Sequence, residues 1–387
     1  MRLRWFSVAA LGASVVAALT LSSADGQPPI VSGPYAVFGY SELGLHWTQS
    51  DFSEMSILPL GNTIRAQVIL RGPEPEILDG DVTVRYAIPK HSRSWDKTNF
   101  WKYAPQLFGA SPANDVGLTG HGLMGTMTAT ASNIWQVTGV PVMPIDDAGK
   151  ADPYPVGLIT VTGAAGTALA RPVIGVSTEF NCTLCHGSPG SSAAREILQV
   201  HDAFQGTNLA DETPVQCSNC HADPAVGAPG LPEVSTLSHA IHQGMASYVE
   251  YVGLDNVCFA CHPGIRDKTQ RDVHKSLGIE CIDCHGGMLD VANPDRVPWT
   301  TLPRCGDCHN VPGHAYEQPG VLYKDSIGHA GVHCTTCHGP PHAIGTAITA
   351  VDNEQAIQMQ GHSGTINTCT VCHIVQPSEP FFHKIGD

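Results

Sequence analysis

All fourteen cysteines of the chain fall into seven copies of one pattern, C-x-x-C-H, with none left over. The copies are Cys182-Thr-Leu-Cys185-His186, Cys217-Ser-Asn-Cys220-His221, Cys258-Phe-Ala-Cys261-His262, Cys281-Ile-Asp-Cys284-His285, Cys305-Gly-Asp-Cys308-His309, Cys334-Thr-Thr-Cys337-His338 and Cys369-Thr-Val-Cys372-His373. Chance at this composition yields about 0.03 such motifs. Two thiols separated by two residues can reach both vinyl groups on one edge of a haem and form thioethers. The histidine that follows then swings beneath the porphyrin as proximal iron ligand. Seven covalently attached haems of the c type are therefore expected. Seven disulfides would leave the trailing histidines without a role, and an odd number of cysteine pairs cannot all combine in fours as zinc ribbons.

This device constrains the fold. The motifs follow one another at roughly 30 residues per haem, too little chain to wrap each large apolar cofactor separately. The haems must then form much of the core, with short helices at the motifs and long irregular loops between them. The spacing is uneven, so the repetition is a chain of sites and not a strict solenoid.

The second axial ligand separates a carrier from an enzyme, because an iron closed on both faces exchanges electrons while one with an open face can bind substrate. Seven of the 20 histidines are proximal, and ten of the others follow the first motif. His201, His239, His242, His274, His329, His342, His362 and His383 are the distal candidates, eight for seven irons. His274 and His362 each precede the first cysteine of a motif by seven residues and His329 by five. His342 lies four residues beyond His338 and is expected to point toward a neighbouring haem. His239 and His242, three apart, would share a helix face. His314 and His333 read as surface residues or haem-propionate partners. Methionine is the rival ligand, but Met245, Met288 and Met359 read as packing residues. Bis-histidine ligation is expected at most or all sites.

The rest of the chain divides by composition. Residues 1–24 carry Arg2 and Arg4, an apolar run from Trp5 to about Leu21, and the small residues Ser22-Ser23-Ala24, the pattern of a cleaved secretory signal. Residues 25–178 lack cysteine and contain strand-like runs at 63–70, 81–87 and 157–162, with further segments at 134–142 and 172–176. An all-β, sandwich-like module is expected there, followed over 179–387 by a multihaem cytochrome c domain with short helices and long irregular loops. The formal net charge of -15 disfavours a nucleic-acid partner and suits basic redox partners, metal cations or mineral surfaces. No stable membrane insertion is expected.

The haem segments resemble those of large bacterial multihaem c-type cytochromes. Cys337-His338-Gly-Pro-Pro-His342-Ala, followed by Gln360-Gly-His362-Ser-Gly-Thr-Ile-Asn-Thr-Cys369, is similar to a recurring haem-to-haem segment of that family. The resemblance implies that His342 and His362 are distal ligands. Gly328-His329-Ala-Gly-Val-His333-Cys334 is similar to family stretches that retain the earlier histidine, which favours His329 over His333. Tyr40-Ser-Glu-Leu-Gly-Leu-His46 and Leu58-Pro-Leu-Gly-Asn-Thr-Ile-Arg-Ala-Gln67 resemble a cysteine-poor module that precedes the haems in some members. There the histidine is often followed by cysteine. Trp47 takes that place here, so His46 reads as a hydrogen-bonded loop residue, while His91 and His121 read as surface residues.

An exported electron carrier follows as the expectation, placed in the periplasm or at the cell surface, with redox proteins or extracellular acceptors as partners and the β module as a docking or assembly unit. A homo-oligomer or conductive filament is a related possibility. The competing expectation is a multihaem oxidoreductase acting on nitrite, hydroxylamine or tetrathionate, which needs one open iron. The nitrite-reducing type often carries C-x-x-C-K at that iron, and no such motif occurs here.

Overall fold

The computed structural model describes residues 33–312 and 314–378, apart from the side chain of Glu250. The expected signal segment 1–24 and the candidate ligand His383 lie outside the described residues. Twelve strands precede Glu179 among them. These are β1 (Tyr35–Ser41), β2 (Leu45–Trp47), β3 (Met55–Ser56), β4 (Asn62–Leu70), β5 (Glu76–Ile77), β6 (Val82–Ala87), β7 (Met124–Thr126), β8 (Thr128–Ala129), β9 (Trp135–Val140), β10 (Leu158–Gly163), β11 (Gly166–Ala170) and β12 (Gly175–Ser177). A further strand, β13 (Val215–Gln216), pairs in parallel with β3.

Two antiparallel sheets make the body of this region. One has the order β1-β4-β9-β8 with β5 also on β4; the other runs β11-β10-β6-β7. Alternate residues from both, among them Val37, Ile64, Ala66 and Val68 of the first and Val84, Tyr86, Ile159 and Val161 of the second, meet in one apolar core. The runs at 63–70, 81–87 and 157–162 correspond to β4, β6 and β10, and 134–142 contains β9. The stretch at 172–176 pairs with 155–157 through an isolated Val173–Val156 bridge and enters β12 at Gly175.

One helix interrupts the expected all-β character, α1 (Phe100–Phe108). Phe100, Ala104 and Leu107 recur at helical spacing and bury against Phe52, Leu60 and Met143. The chain leaves it through Gly109 at φ 64°, a left-handed C-terminal stop.

After β12 the chain is mostly loop, punctuated by α2 (Ala193–Gln205), α3 (Leu237–Met245), α4 (Val273–Ser276), α5 (Cys281–His285), α6 (Met288–Val291), α7 (Cys334–His338) and α8 (Ala350–Gln360). Its buried apolar side chains are few and mostly small, such as Ala260, Ala292, Ala343 and Ala347. Larger ones stand exposed, including Phe204 (77%), Tyr251 (87%), Leu277 (70%) and Leu289 (65%). The first region builds its core from its own side chains; the second does not.

The two regions share an apolar seam. Strand β1 is buried along its whole length because its second face, Ala36 and Phe38, packs with Ile69 against Met359 and Val371. Arg65 and Gln67 on β4, which alternation alone would send to solvent, bond Asp325 and Thr336 instead. No helix among the described residues is long and apolar enough to cross a membrane.

Candidate functional site

Each motif folds into one helical turn. The histidine amide donates to the carbonyl of the first cysteine at 2.8 Å for His186, 3.0 Å for His221, 2.8 Å for His262 and His309, and 2.9 Å for His373. The remaining two motifs are α5 and α7 themselves. Positions i, i+3 and i+4 of a turn share a face, so both thiols and the imidazole of every motif emerge together. All fourteen cysteines are free. Burial pushes the Cys217, Cys337 and Cys372 thiols up to about 12, so these three are not poised as thiolate nucleophiles.

Among the described residues, five motif histidines stand opposite a second imidazole. The ring centres are 6.2 Å apart for His221 and His201, 6.1 Å for His262 and His242, and 6.0 Å for His285 and His342. They are 6.3 Å apart for His309 and His274 and for His373 and His329. A metal held between two imidazoles at about 2.0–2.1 Å per bond puts the ring centres about 6.3 Å apart. The ring planes are turned from one another by between 24° and 89°, as rotation about a shared bond axis allows.

Hydrogen bonds settle which nitrogen is free to ligate. His221 Nδ1 donates to the Ser235 carbonyl at 2.8 Å, His242 Nδ1 to Ser238 at 2.6 Å and His373 Nδ1 to Pro73 at 3.1 Å. A carbonyl can only accept, so the proton sits on Nδ1 and the Nε2 lone pair is left available. The Thr207 hydroxyl donates to Asp202, which leaves its oxygen to accept from His201 Nδ1 at 2.9 Å. The Leu43 carbonyl lies beside the His342 ring, and His274 Nδ1 lies 3.5 Å from the Asp272 carboxylate. Three of the pairs thus have at least one ring oriented by an outer hydrogen-bond acceptor, as metal-bound imidazoles characteristically are. Burial, reinforced by neighbouring imidazoles, lowers His262 and His285 to about 4, which keeps their lone pairs unprotonated at neutral pH.

Spacing along the chain does not choose the partners. His274 precedes the fourth motif but pairs with His309 of the fifth, and His342 leaves its own motif to face His285. His239 is turned to the Ala292 carbonyl at 2.5 Å and the exposed His362 to that of Ser363 at 2.9 Å. Neither stands opposite a motif imidazole. The described residues place no second imidazole beside His186, while His338 Nδ1 meets the Thr365 hydroxyl at 3.3 Å.

Several histidines depart from the sequence reading. His333 is buried, not a surface residue, with Nε2 bonded to the Ser132 carbonyl at 2.8 Å. His91 is buried as well, between the Met143 carbonyl (3.0 Å) and Asp152 (3.1 Å). His121 is half-buried on the Thr138 carbonyl at 3.0 Å. His46 lies in β2 rather than a loop, its Nε2 buried without a hydrogen-bond partner among the described residues. His314 is exposed. Met359 is buried in the seam between the two regions.

Neighbouring motifs touch. The thiol of Cys182 lies close to that of Cys261, and the thiol of Cys258 close to that of Cys281. Cys284 lies within electrostatic range of Cys308, Cys334 of Cys305, and Cys372 of Cys337. The first motif therefore adjoins the third, and the third through seventh succeed one another in space. No cage of three or more His, Cys, Asp or Glu side chains exists among the described residues; an iron already held in a macrocycle needs only one imidazole on each face. No protein-family model matches this chain, and no curated protein or solved structure does.

Proposed function

We propose that the chain is an extracytoplasmic electron carrier, a multihaem c-type cytochrome with seven attached haems and mostly bis-histidine irons. The observation that carries this reading is the set of five imidazole pairs, each joining a C-x-x-C-H histidine to one outside the motifs at 6.0–6.3 Å. The haem, when bound, supplies reversible one-electron chemistry at its iron. The chain's own residues do the rest. The cysteine pairs fix the cofactor edge, and the motif histidines His186, His221, His262, His285, His309, His338 and His373 offer the proximal nitrogens. His201, His242, His342, His274 and His329 would supply a second imidazole at five sites. Outer acceptors hold the proton on Nδ1 of His201, His221, His242 and His373, which would leave the Nε2 of each basic toward a metal. The exposed apolar side chains of the second region are accounted for by cofactor faces packed against them.

A pyridine haemochrome assay on the mature protein is expected to return about seven c-type haems per chain, and a value near zero would sink the reading. Low-temperature EPR of the oxidised protein separates carrier from enzyme, since a carrier gives only low-spin ferric signals. A second reading, an oxidoreductase with one open iron, would place it at His186, beside which the described residues set no second imidazole. It requires a high-spin signal of about one iron in seven that shifts on adding nitrite or hydroxylamine.

A further inference from the structure

The N-terminal region meets the imidazole pairs at two loops, and both contacts are of one kind. The Leu43 carbonyl, in the turn between β1 and β2, lies beside the His342 ring. The Pro73 carbonyl, just beyond β4, accepts from His373 Nδ1 at 3.1 Å. We propose that this cysteine-free region is the outer ligand shell of the His285–His342 and His329–His373 pairs, and so sets the orientation and basicity of one imidazole in each. The proposal rests on the haem reading above.

The surroundings of both carbonyls are built for this. His342 sits at φ 62°, a left-handed conformation that a residue with a side chain keeps only where its neighbours over-determine it. The Arg271 amide donates to the His342 carbonyl at 2.7 Å, and the Arg271 carbonyl accepts from Ile348 at the same distance. Arg271 is itself fully buried. Its guanidinium grips Asp352 of α8 at 2.7 and 2.9 Å, donates to the Gly44 carbonyl at 3.2 Å and lies 4.8 Å from the centre of the Tyr154 ring. One side chain thus ties the His342 loop to the β1–β2 turn and to α8. Gly44 leaves no slack, because a Cβ there would sit 2.0 Å from the Pro341 carbonyl, and its φ of 72° suits glycine.

At the second pair the same region clasps the backbone on both sides of His373. Arg71 donates to the Val371 and Thr370 carbonyls, each at 2.9 Å, and the Gly72 carbonyl accepts from Ile374 at 2.9 Å. A carbonyl on Nδ1 fixes the tautomer and raises the basicity of the metal-binding nitrogen. Arg271 and Arg71 are accordingly positioning residues.

The test compares Gly44→Ala, Arg271→Lys and Arg71→Lys with the unaltered mature protein. Haem is counted first in the unaltered chain, and a count near zero there defeats the haem reading itself. With seven haems present, potentiometric titration and low-temperature EPR read the inference. Gly44→Ala and Arg271→Lys are expected to shift the potential or the low-spin signal of about one iron in seven. Arg71→Lys is expected to shift a different one. Lysine keeps the charge but loses the planar fork, so an effect of Arg271→Lys as large as that of Arg271→Met at the same iron marks orientation and not bulk charge. Spectra and potentials identical to the unaltered protein, at lower thermal stability, would overturn the proposal and leave the contact as packing only. So would a change or haem loss spread over all the sites.

Discussion

At the scale of single residues, His46 makes a sharp prediction. Burial lowers it to about 4, below its ordinary value in the unfolded chain. Between those two values the unfolded state binds the extra proton, so the contribution is complete above about pH 6.5 and lost as pH falls toward 4. The size is on the order of 3 kcal/mol. His46→Leu should therefore flatten the pH dependence of the urea midpoint between pH 7 and pH 4.5. An unchanged slope would show that the ring titrates normally. Individual roles were only partly legible from the chain. The proximal histidines announce themselves by following a cysteine. His333, His91 and His121 gave no signal, because their partners at Ser132, Met143, Asp152 and Thr138 approach through the fold. The pairing of His274 with His309 across an intervening motif was hidden for the same reason.

Elements carry two further predictions. Helix α2 brings His201 to His221, and its first turn is closed by the Ser192 hydroxyl accepting from the Arg195 amide at 3.0 Å. Ser192→Ala should cost about 1 kcal/mol, and hydrogen exchange at the α2 amides would show it. An unaltered exchange profile would mean that the cap is idle. Strand β1 offers the second case. Phe38 is 1% exposed in the seam with Ile69, Met359 and Val371. Phe38→Ala should destabilise by about 3–5 kcal/mol in denaturant titrations, and a loss below 1 kcal/mol would show that the seam repacks. The long strands β4, β6 and β10 could be foreseen from β-branched alternation. Helix α1 could not, since its aromatic face and internal Pro105 resemble neither a strong helix nor a strand. Arg65 and Gln67 looked solvent-facing on β4 because alternation describes one buried face, and this strand has two.

The whole molecule carries a formal charge of -15. Electron exchange with a small basic redox protein should therefore slow as ionic strength rises through about 0.1 M; a rate independent of salt would place the exchange site away from the acidic surface. The division into a strand-rich first region and a loop-rich second one was visible in composition, because cysteine begins where regular strands end. The seam between them was not, since it joins positions about 300 apart in sequence. Arg71 and Gly72 bond residues 370, 371 and 374, and Gly39 and Gln355 exchange two hydrogen bonds at 3.0 and 3.1 Å. Such closure carries the entropy of a very long loop and comes late. The outer face of β1 and β4 can be covered only after the last motif has been synthesised. Until then the seven cysteine pairs remain on an unlatched chain, so any covalent chemistry at them would have an ordered window before the two regions close on each other.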